Sequence, residues 1–151
     1  MATHFNGNTK EVTALNSYIK LIRAAESLKA RLNNKIIKEG LTESQFGILE
    51  ALYHLGPLCQ KDLGNKLLMS GGNITMVIDN LEKQKFVERH RDKNDRRFFK
   101  IHLTDAGKNK VKNIFPLLLN SIIEEFDVLN EKEQLELQRM CRLIGIKDQK
   151  K

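Results

Sequence analysis

At Phe86 the spacing of the apolar residues changes. Before it, Ile74, Val77, Ile78 and Leu81 recur every three or four positions, the period of one face of an α-helix. After it, Phe99, Ile101 and Leu103 alternate with Lys100 and His102, the period of a strand. Between the two runs lie the extended-looking Phe86–Arg91 and the turn formers Asp92-Lys93-Asn94-Asp95. The expected local structure is a helix followed at once by a two-stranded hairpin with a charged tip. Such a hairpin is marginal alone in water, so it must lean on the helices before it.

The flanking sequence is helical. Thr9 to Lys38 carries Val12, Leu15, Ile19, Ile22, Leu28, Leu32 and Ile36 at helical steps. Asn8 and Glu11 match a capping box at its start, and Gly40 suits its C-terminal end. This helix is longer than a small core requires, which suggests a partner, such as a second copy of the chain. Thr42 with Gln45 opens a second helix that Gly56-Pro57 breaks. A short helix is expected from Gln60 to Leu67, then a turn at Met69-Ser70-Gly71-Gly72, then the patterned helix to Gln84. Thr104 caps another helix with a wide apolar stripe, which Pro116 is expected to kink or break. Asn130 with Glu133 caps a last helix striped by Leu137, Met140, Cys141 and Ile144. Asp148 to Lys151 reads as a frayed tail.

The fold class expected is mainly α with a small β-hairpin wing. Residues 42–104 form a winged helix-turn-helix, and residues 9–38 and 105–147 form a helical dimerisation region. The chain has 151 residues, 40% hydrophobic and 30% charged, a balance that excludes bulk disorder and a disulfide scaffold. No apolar run approaches the roughly 18 residues of a membrane span. The polar segment Met1–Lys10 reads as neither a secretory signal nor a transit peptide. Two isolated cysteines, Cys59 and Cys141, fit a reducing cytoplasm.

The formal net charge is +7, and its distribution says more than its total. Residues 60–110 carry 12 basic and 7 acidic side chains, net +5; residues 111–151 carry 7 of each. A concentrated excess is the footprint of a segment that meets phosphate, although charge alone also fits a solvated face. The helix and hairpin tip decide between these readings. An α-helix fits the DNA major groove, where base edges expose a distinct donor and acceptor pattern. Opposite the buried stripe the helix from Gly71 presents Gly72, Met76, Asp79 and Lys83, flanked by Asn73, Thr75 and Asn80. The two glycines permit close approach, and the free N–H groups of a first helical turn suit a phosphate oxygen. Met76 can pack on a thymine methyl. The tip, Arg91-Asp92-Lys93-Asn94-Asp95-Arg96-Arg97, offers arginines suited to a narrow, negative minor groove. Asp92 or Asp95 is expected to hold an arginine by a bidentate pair. Lys61, Lys66, Lys83, Lys85 and Lys93 are candidates for phosphate contacts, which supply affinity and salt dependence rather than sequence choice.

Taken in order, Leu41-Thr42, Gln45 to Leu49, Gly56-Pro57-Leu58, Asp62-Leu63, Ser70 to Thr75, Val77 to Glu82, Asp95-Arg96-Arg97 and Leu103 to Gly107 resemble the MarR family of bacterial transcription regulators over nearly the whole chain. The resemblance implies a homodimer whose first and last helices interleave, with two winged lobes on a pseudo-palindromic operator. It places Ser70, Gly72, Asn73, Thr75 and Met76 near double-stranded DNA, with Arg96 and Arg97 at or near the minor groove and Asp95 as their partner. Asn80, Lys83 and Lys93 complete the expected DNA-facing set, with Asp92 and Asp95 organising the wing. The family implies a repressor that a small ligand or thiol oxidation releases. The peroxide sensors of the family carry a cysteine in the first helix, and this chain has none there. Its helix-turn-helix wording lies closer to members that answer quinones or phenols.

Cys59 stands where a Ser or Thr cap would be ordinary, and a helix N-terminus lowers a thiol's pKa; it is either a weak cap or a redox sensor. Tyr18, Tyr53 and His54 are candidate lining residues of an effector pocket. His4, His54, His90 and His102 do not converge in the sequence, and neither a metal nor a cofactor is expected. Two other classes stay open: a hydrolase using a Cys59–His54 pair, which lacks an orienting group, and a winged helix used only for protein contacts.

Overall fold

The computed structural model describes residues 4–95 and 97–145. Its elements run α1 (Thr9–Lys38), α2 (Glu43–Leu55), β1 (Leu58–Cys59), α3 (Gln60–Lys66), α4 (Gly71–Lys83), β2 (Val87–Arg91), β3 (Phe99–Leu103), α5 (Asp105–Phe126) and α6 (Glu131–Gly145). The chain divides into two compact units, residues 1–118 and 119–151.

The first unit owes its helix starts to capping side chains. The Asn8 and Thr42 side chains each accept from the backbone N–H three residues on, while Glu11 and Gln45 reach back to the cap N–H. Two orphan donors are satisfied at each end. The helix ends are equally regular. At α1 the Leu41 N–H donates to the Ile36 carbonyl and the Gly40 N–H to Ile37, with Gly40 at φ +76°. Glu39 is the cap residue, so Gly40 lies one position beyond it. The same double bond closes α3, from Met69 to Gly64 and from Leu68 to Asn65. It closes α4 from Phe86 to Leu81 and from Lys85 to Glu82. At those two ends the left-handed position is held by Leu68 (φ 53°) and Lys85 (φ 61°), residues without glycine's freedom there.

The turn between α3 and α4 therefore differs from the expectation. Its bend is made at Leu68, and Gly71 and Gly72 are already the first turn of α4, capped by Ser70. The hairpin also differs, for it is not two-stranded. Leu58 and Cys59 pair with Ile101 and Lys100, giving a three-stranded antiparallel sheet in the order β1-β3-β2. The wing thus has β3 as its centre, tied to the residues that lead into α3. In the β2–β3 pair Val87 lies opposite Leu103 and Arg91 opposite Phe99.

The core of this unit comes from every element around the helix-turn-helix. Phe46, Ile48, Leu49 and Leu52 of α2, Leu63 of α3, and Ile74, Val77, Ile78 and Leu81 of α4 are buried, with Val87, Ile101, Val111 and Ile114. One close approach fixes the exit from the wing. A Cβ on Gly107 would stand 2.2 Å from the Phe86 carbonyl oxygen, closer than any side chain allows. Beside it the Thr104 hydroxyl donates to the Lys85 carbonyl at 2.7 Å and accepts from the Gly107 N–H at 3.1 Å.

Along α1 only Ile36 is fully buried; Tyr18, Ile22 and Ile37 are exposed. Helix α5 runs unbroken through Pro116, so of the expected kink or break the break does not occur. The Pro116 ring removes one N–H, and the unit division falls two residues beyond it. In the second unit α6 starts with the expected Asn130–Glu133 box. It has no buried residue, and its Leu135, Met140, Leu143 and Ile144 are exposed. The expected tail, Asp148 to Lys151, and the last residues of the 105–147 region lie outside the described residues.

Candidate nucleic-acid interface

Helix α4 turns its apolar stripe inward and leaves the other face open. Ser70, Gly72, Asn73, Thr75, Met76, Asn80 and Lys83 are all exposed. Met76, an apolar side chain, is 59% exposed with its own core already filled by Ile74 and Val77. Nothing stands within 4 Å of a Cβ placed on Gly71 or Gly72. The chain itself thus leaves room at both glycines. The Asn73 N–H is taken by the Ser70 hydroxyl at 3.4 Å.

Thr75 is partly engaged. Its hydroxyl donates to the Gly71 carbonyl at 2.9 Å and accepts from the Gln60 side-chain amide of α3. Gln60, absent from the sequence-based set, fixes this rotamer.

The wing tip is built on two aspartates with separate tasks. Asp95 takes Arg97 in a bidentate pair, Nε to Oδ1 at 3.0 Å and Nη2 to Oδ2 at 2.8 Å, and also accepts the Arg97 N–H at 3.1 Å. The guanidinium–carboxylate hydrogen bonding holds the Asp95 carboxyl below its ordinary value and raises the Arg97 pKa. Among the described residues Asp92 is not seen to hold an arginine. It pairs with Lys100 at 2.9 Å and accepts the backbone N–H groups of Asn94 and Asp95, and the Lys100 bond is the main cause of its lowered pKa. Arg97 and Lys93 are exposed at the tip. Arg96 lies outside the described residues.

A further residue ties wing to helix. The Arg89 guanidinium on β2 forks to Asp79 and Glu82, one turn apart on α4, and its own N–H donates to Glu82 at 3.2 Å. Burial lowers the Arg89 pKa, but the hydrogen bonds to Asp79 and Glu82 outweigh it and leave it above its ordinary value. Its side chain is 23% exposed. The sequence reading placed Asp79 on the open face and passed over Arg89, because the contact depends on how β2 lies against α4.

Elsewhere the structure separates residues grouped in the sequence and joins others. A cavity of about 270 Å³ is lined by Leu52, Tyr53, Gly56, Pro57, His102, Leu103 and Lys108. Of the three candidate pocket residues, Tyr53 lines it. His54 instead packs edge-on against Tyr53 and Phe115, and Tyr18 is exposed on α1. His90 and His102, apart in the sequence, stack with centroids 4.4 Å apart, and His90 bonds Glu88 at 2.9 Å. Burial, then His90 and Lys100, push the His102 pKa down. Among the described residues no group of three His, Cys, Asp or Glu is placed to hold a metal ion, and no helix is long and apolar enough to cross a membrane. Cys59 is the α3 cap, its sulfur accepting the Asp62 N–H at 3.4 Å. With its sulfur there and His54 among aromatic rings, the pair shows no nucleophile–base contact.

Comparison with known proteins agrees with this geometry. Residues 41–98 match the model of the MarR family. The HTH-type transcriptional regulator MhqR of Bacillus subtilis (strain 168) is 34% identical over 133 residues, covering 88% of this chain and 92% of that protein. Two solved structures share the fold. Sco3205, a MarR family regulator from Streptomyces coelicolor solved in complex with DNA, aligns with TM-score 0.83 at 21% identity, over 95% of this chain and 91% of the other. NadR in complex with 4-hydroxyphenylacetate aligns with TM-score 0.76 at 23% identity, over 98% and 100%.

Proposed function

The chain belongs to the MarR family of DNA-binding transcriptional regulators and is no enzyme; from that premise we propose that it acts in the cytoplasm as a homodimeric repressor of a pseudo-palindromic operator. Helix α4 enters the major groove through Ser70, Gly72, Asn73, Thr75 and Met76, with Asn80 and Lys83 farther along. The wing brings Arg97, Arg96 and Lys93 to the neighbouring minor groove, on a tip organised by Asp92 and Asp95. The observations that carry this reading are the room left at Gly71 and Gly72 in the first turn of α4 and a wing arginine held by a bidentate aspartate. Exposed glycines with room beyond them suit a close phosphate approach, and an arginine is suited to a narrow, negative minor groove.

The dimer is supported by the exposed apolar residues of α1 and α6, which a second copy would cover. The dimerisation region, residues 9–38 and 105–147, and the winged lobe, residues 42–104, are the parts of that arrangement. Release by a small phenolic or aromatic effector is supported by the cavity beside Tyr53, whose walls join the end of β3 to α2. A neighbour of the same fold is solved with 4-hydroxyphenylacetate. Release by oxidation would act through Cys59, whose sulfur caps α3 and whose backbone pairs with the wing strand.

Selection of duplexes from a random pool, followed by binding of the winner to single variants, tests the assignment. Asn73→Ala should relax base preference at one position in each half-site, and Lys93→Gln should weaken all sequences alike. Equal losses on every sequence from Asn73→Ala would remove α4 as the reader. For release, Cys59→Ser should abolish any oxidant-induced dissociation, and unchanged dissociation would remove the thiol.

A further inference from the structure

Two side chains meet across the helix-turn-helix from 15 residues apart. The amide of Gln60, the first residue of α3, donates to the Thr75 hydroxyl on α4, and that hydroxyl donates to the Gly71 carbonyl at 2.9 Å. Thr75 is exposed and Gln60 half-buried. A bond between side chains near solvent adds little to stability, since water serves either group, and ordering a glutamine costs rotamer freedom. Packing leaves Gln60 room as well, for it borders a cavity of about 280 Å³ together with Asn65, Met69 and Gly71. The bond therefore needs a reason other than stability.

We propose that Gln60 is a positioning residue for sequence choice, pinning the Thr75 hydroxyl so that Thr75 meets its base pair with a lone pair and a methyl group and favours A·T over G·C there. This rests on the DNA-binding reading of α4. A hydroxyl has one proton and two lone pairs. In Thr75 the proton is spent on Gly71 and one lone pair on Gln60. The other lone pair and the methyl remain for a base. In the major groove a lone pair suits a base amino group and a methyl suits the thymine methyl, and A·T is the pair that shows both, whereas guanine shows the acceptors N7 and O6. A helical threonine divides between two χ1 rotamers, and the Gln60 bond favours the one seen here. Gln60 thus acts through Thr75 and touches no base in this role.

The test is fluorescence anisotropy of the full-length protein on the selected duplex and on duplexes carrying each single base-pair change. Thr75→Val keeps the branched shape and loses the hydroxyl, so the position whose preference it alters in each half-site is the one that Thr75 faces. That position should be A·T in the selected duplex. Gln60→Met should narrow the gap between A·T and G·C there about two- to ten-fold, the worth of one hydrogen bond, and leave the gaps at other positions as in wild type. In a Thr75→Val background Gln60→Met should change nothing further, because no hydroxyl is left to hold. An equal loss from Gln60→Met on every duplex, the mark of a direct phosphate contact or a structural role, would overturn the proposal. So would a Gln60→Met effect that persists beside Thr75→Val, a G·C pair at the position facing Thr75, or Thr75→Val altering no base preference. A wild-type protein that binds no duplex would instead bring down the DNA reading of α4, so the two failures are distinguishable.

Discussion

Arg89→Met removes the fork that joins β2 to α4. The lost contacts are two charged pairs, to Asp79 and Glu82. The guanidinium is three-quarters covered, while the carboxylates are nearly half exposed and rehydrate once it is gone. Exposed pairs are worth about 0.2–1 kcal/mol each and hydrogen bonds to charged groups about 1.5–3 kcal/mol. The discounted total is about 1–3 kcal/mol. For a chain of this length each kcal/mol moves Tm by roughly 2–4 °C, so a fall of roughly 2–12 °C is expected in thermal unfolding. DNA affinity should fall further than that stability loss alone requires, because the wing's register against α4 goes with the fork. A loss of roughly 10- to 100-fold, the scale of one good base contact, is expected by anisotropy, with a shallower salt slope. Arg89→Lys should be intermediate in both, since an ammonium cannot fork. Unchanged affinity at a lowered Tm would show that the clamp serves stability alone and does not set the wing for DNA.

Gly107→Ala sets a methyl 2.2 Å from the Phe86 carbonyl, and a loss of about 1–3 kcal/mol or more is expected on chemical denaturation. A denaturation midpoint within error of wild type would contradict that packing. Leu68→Gly relieves a left-handed leucine that is 93% exposed. The relief of about 1–2 kcal/mol exceeds glycine's extra entropy cost of about 0.5–1 kcal/mol, so Tm should rise by a few degrees. His102 titrates below its ordinary value in the fold, so the fold favours its neutral form. The stability it contributes is full above the unfolded value near 6.5 and is lost as pH falls from there through the folded value. Acidification from pH 7 to 5 should lower Tm in the wild type more than in His102→Gln, and parallel curves would count against it.

Local signals were legible where a few neighbouring residues act together. The Asn8–Glu11, Thr42–Gln45 and Asn130–Glu133 boxes stand in the structure as their spacing suggests. So does the α4 stripe of Ile74, Val77, Ile78 and Leu81. Asp95 with Arg97 was readable for the same reason, two residues apart on one turn. What escaped depends on tertiary register. Leu58–Cys59 is too short to show a strand period and is a strand only because β3 lies beside it. Arg89 finds Asp79 ten residues away only once β2 crosses α4. Leu68 and Lys85 end helices in the conformation usually marked by glycine, so no residue type announced those ends. The Gln60–Thr75 bond and the His90–His102 stack likewise need the folded chain.

In the proposed function α4 and the wing grip one duplex, twice, in a two-fold molecule. Its most direct test is mass measurement of the complex with a selected duplex, joined to base-by-base protection of that duplex. Two chains per duplex are expected, with half-sites whose centres lie roughly 10–10.5 base pairs apart or a multiple of it, major-groove protection in each and minor-groove protection beside it. A single chain on the DNA, or protection confined to the backbone with no sequence winning the selection, would contradict it.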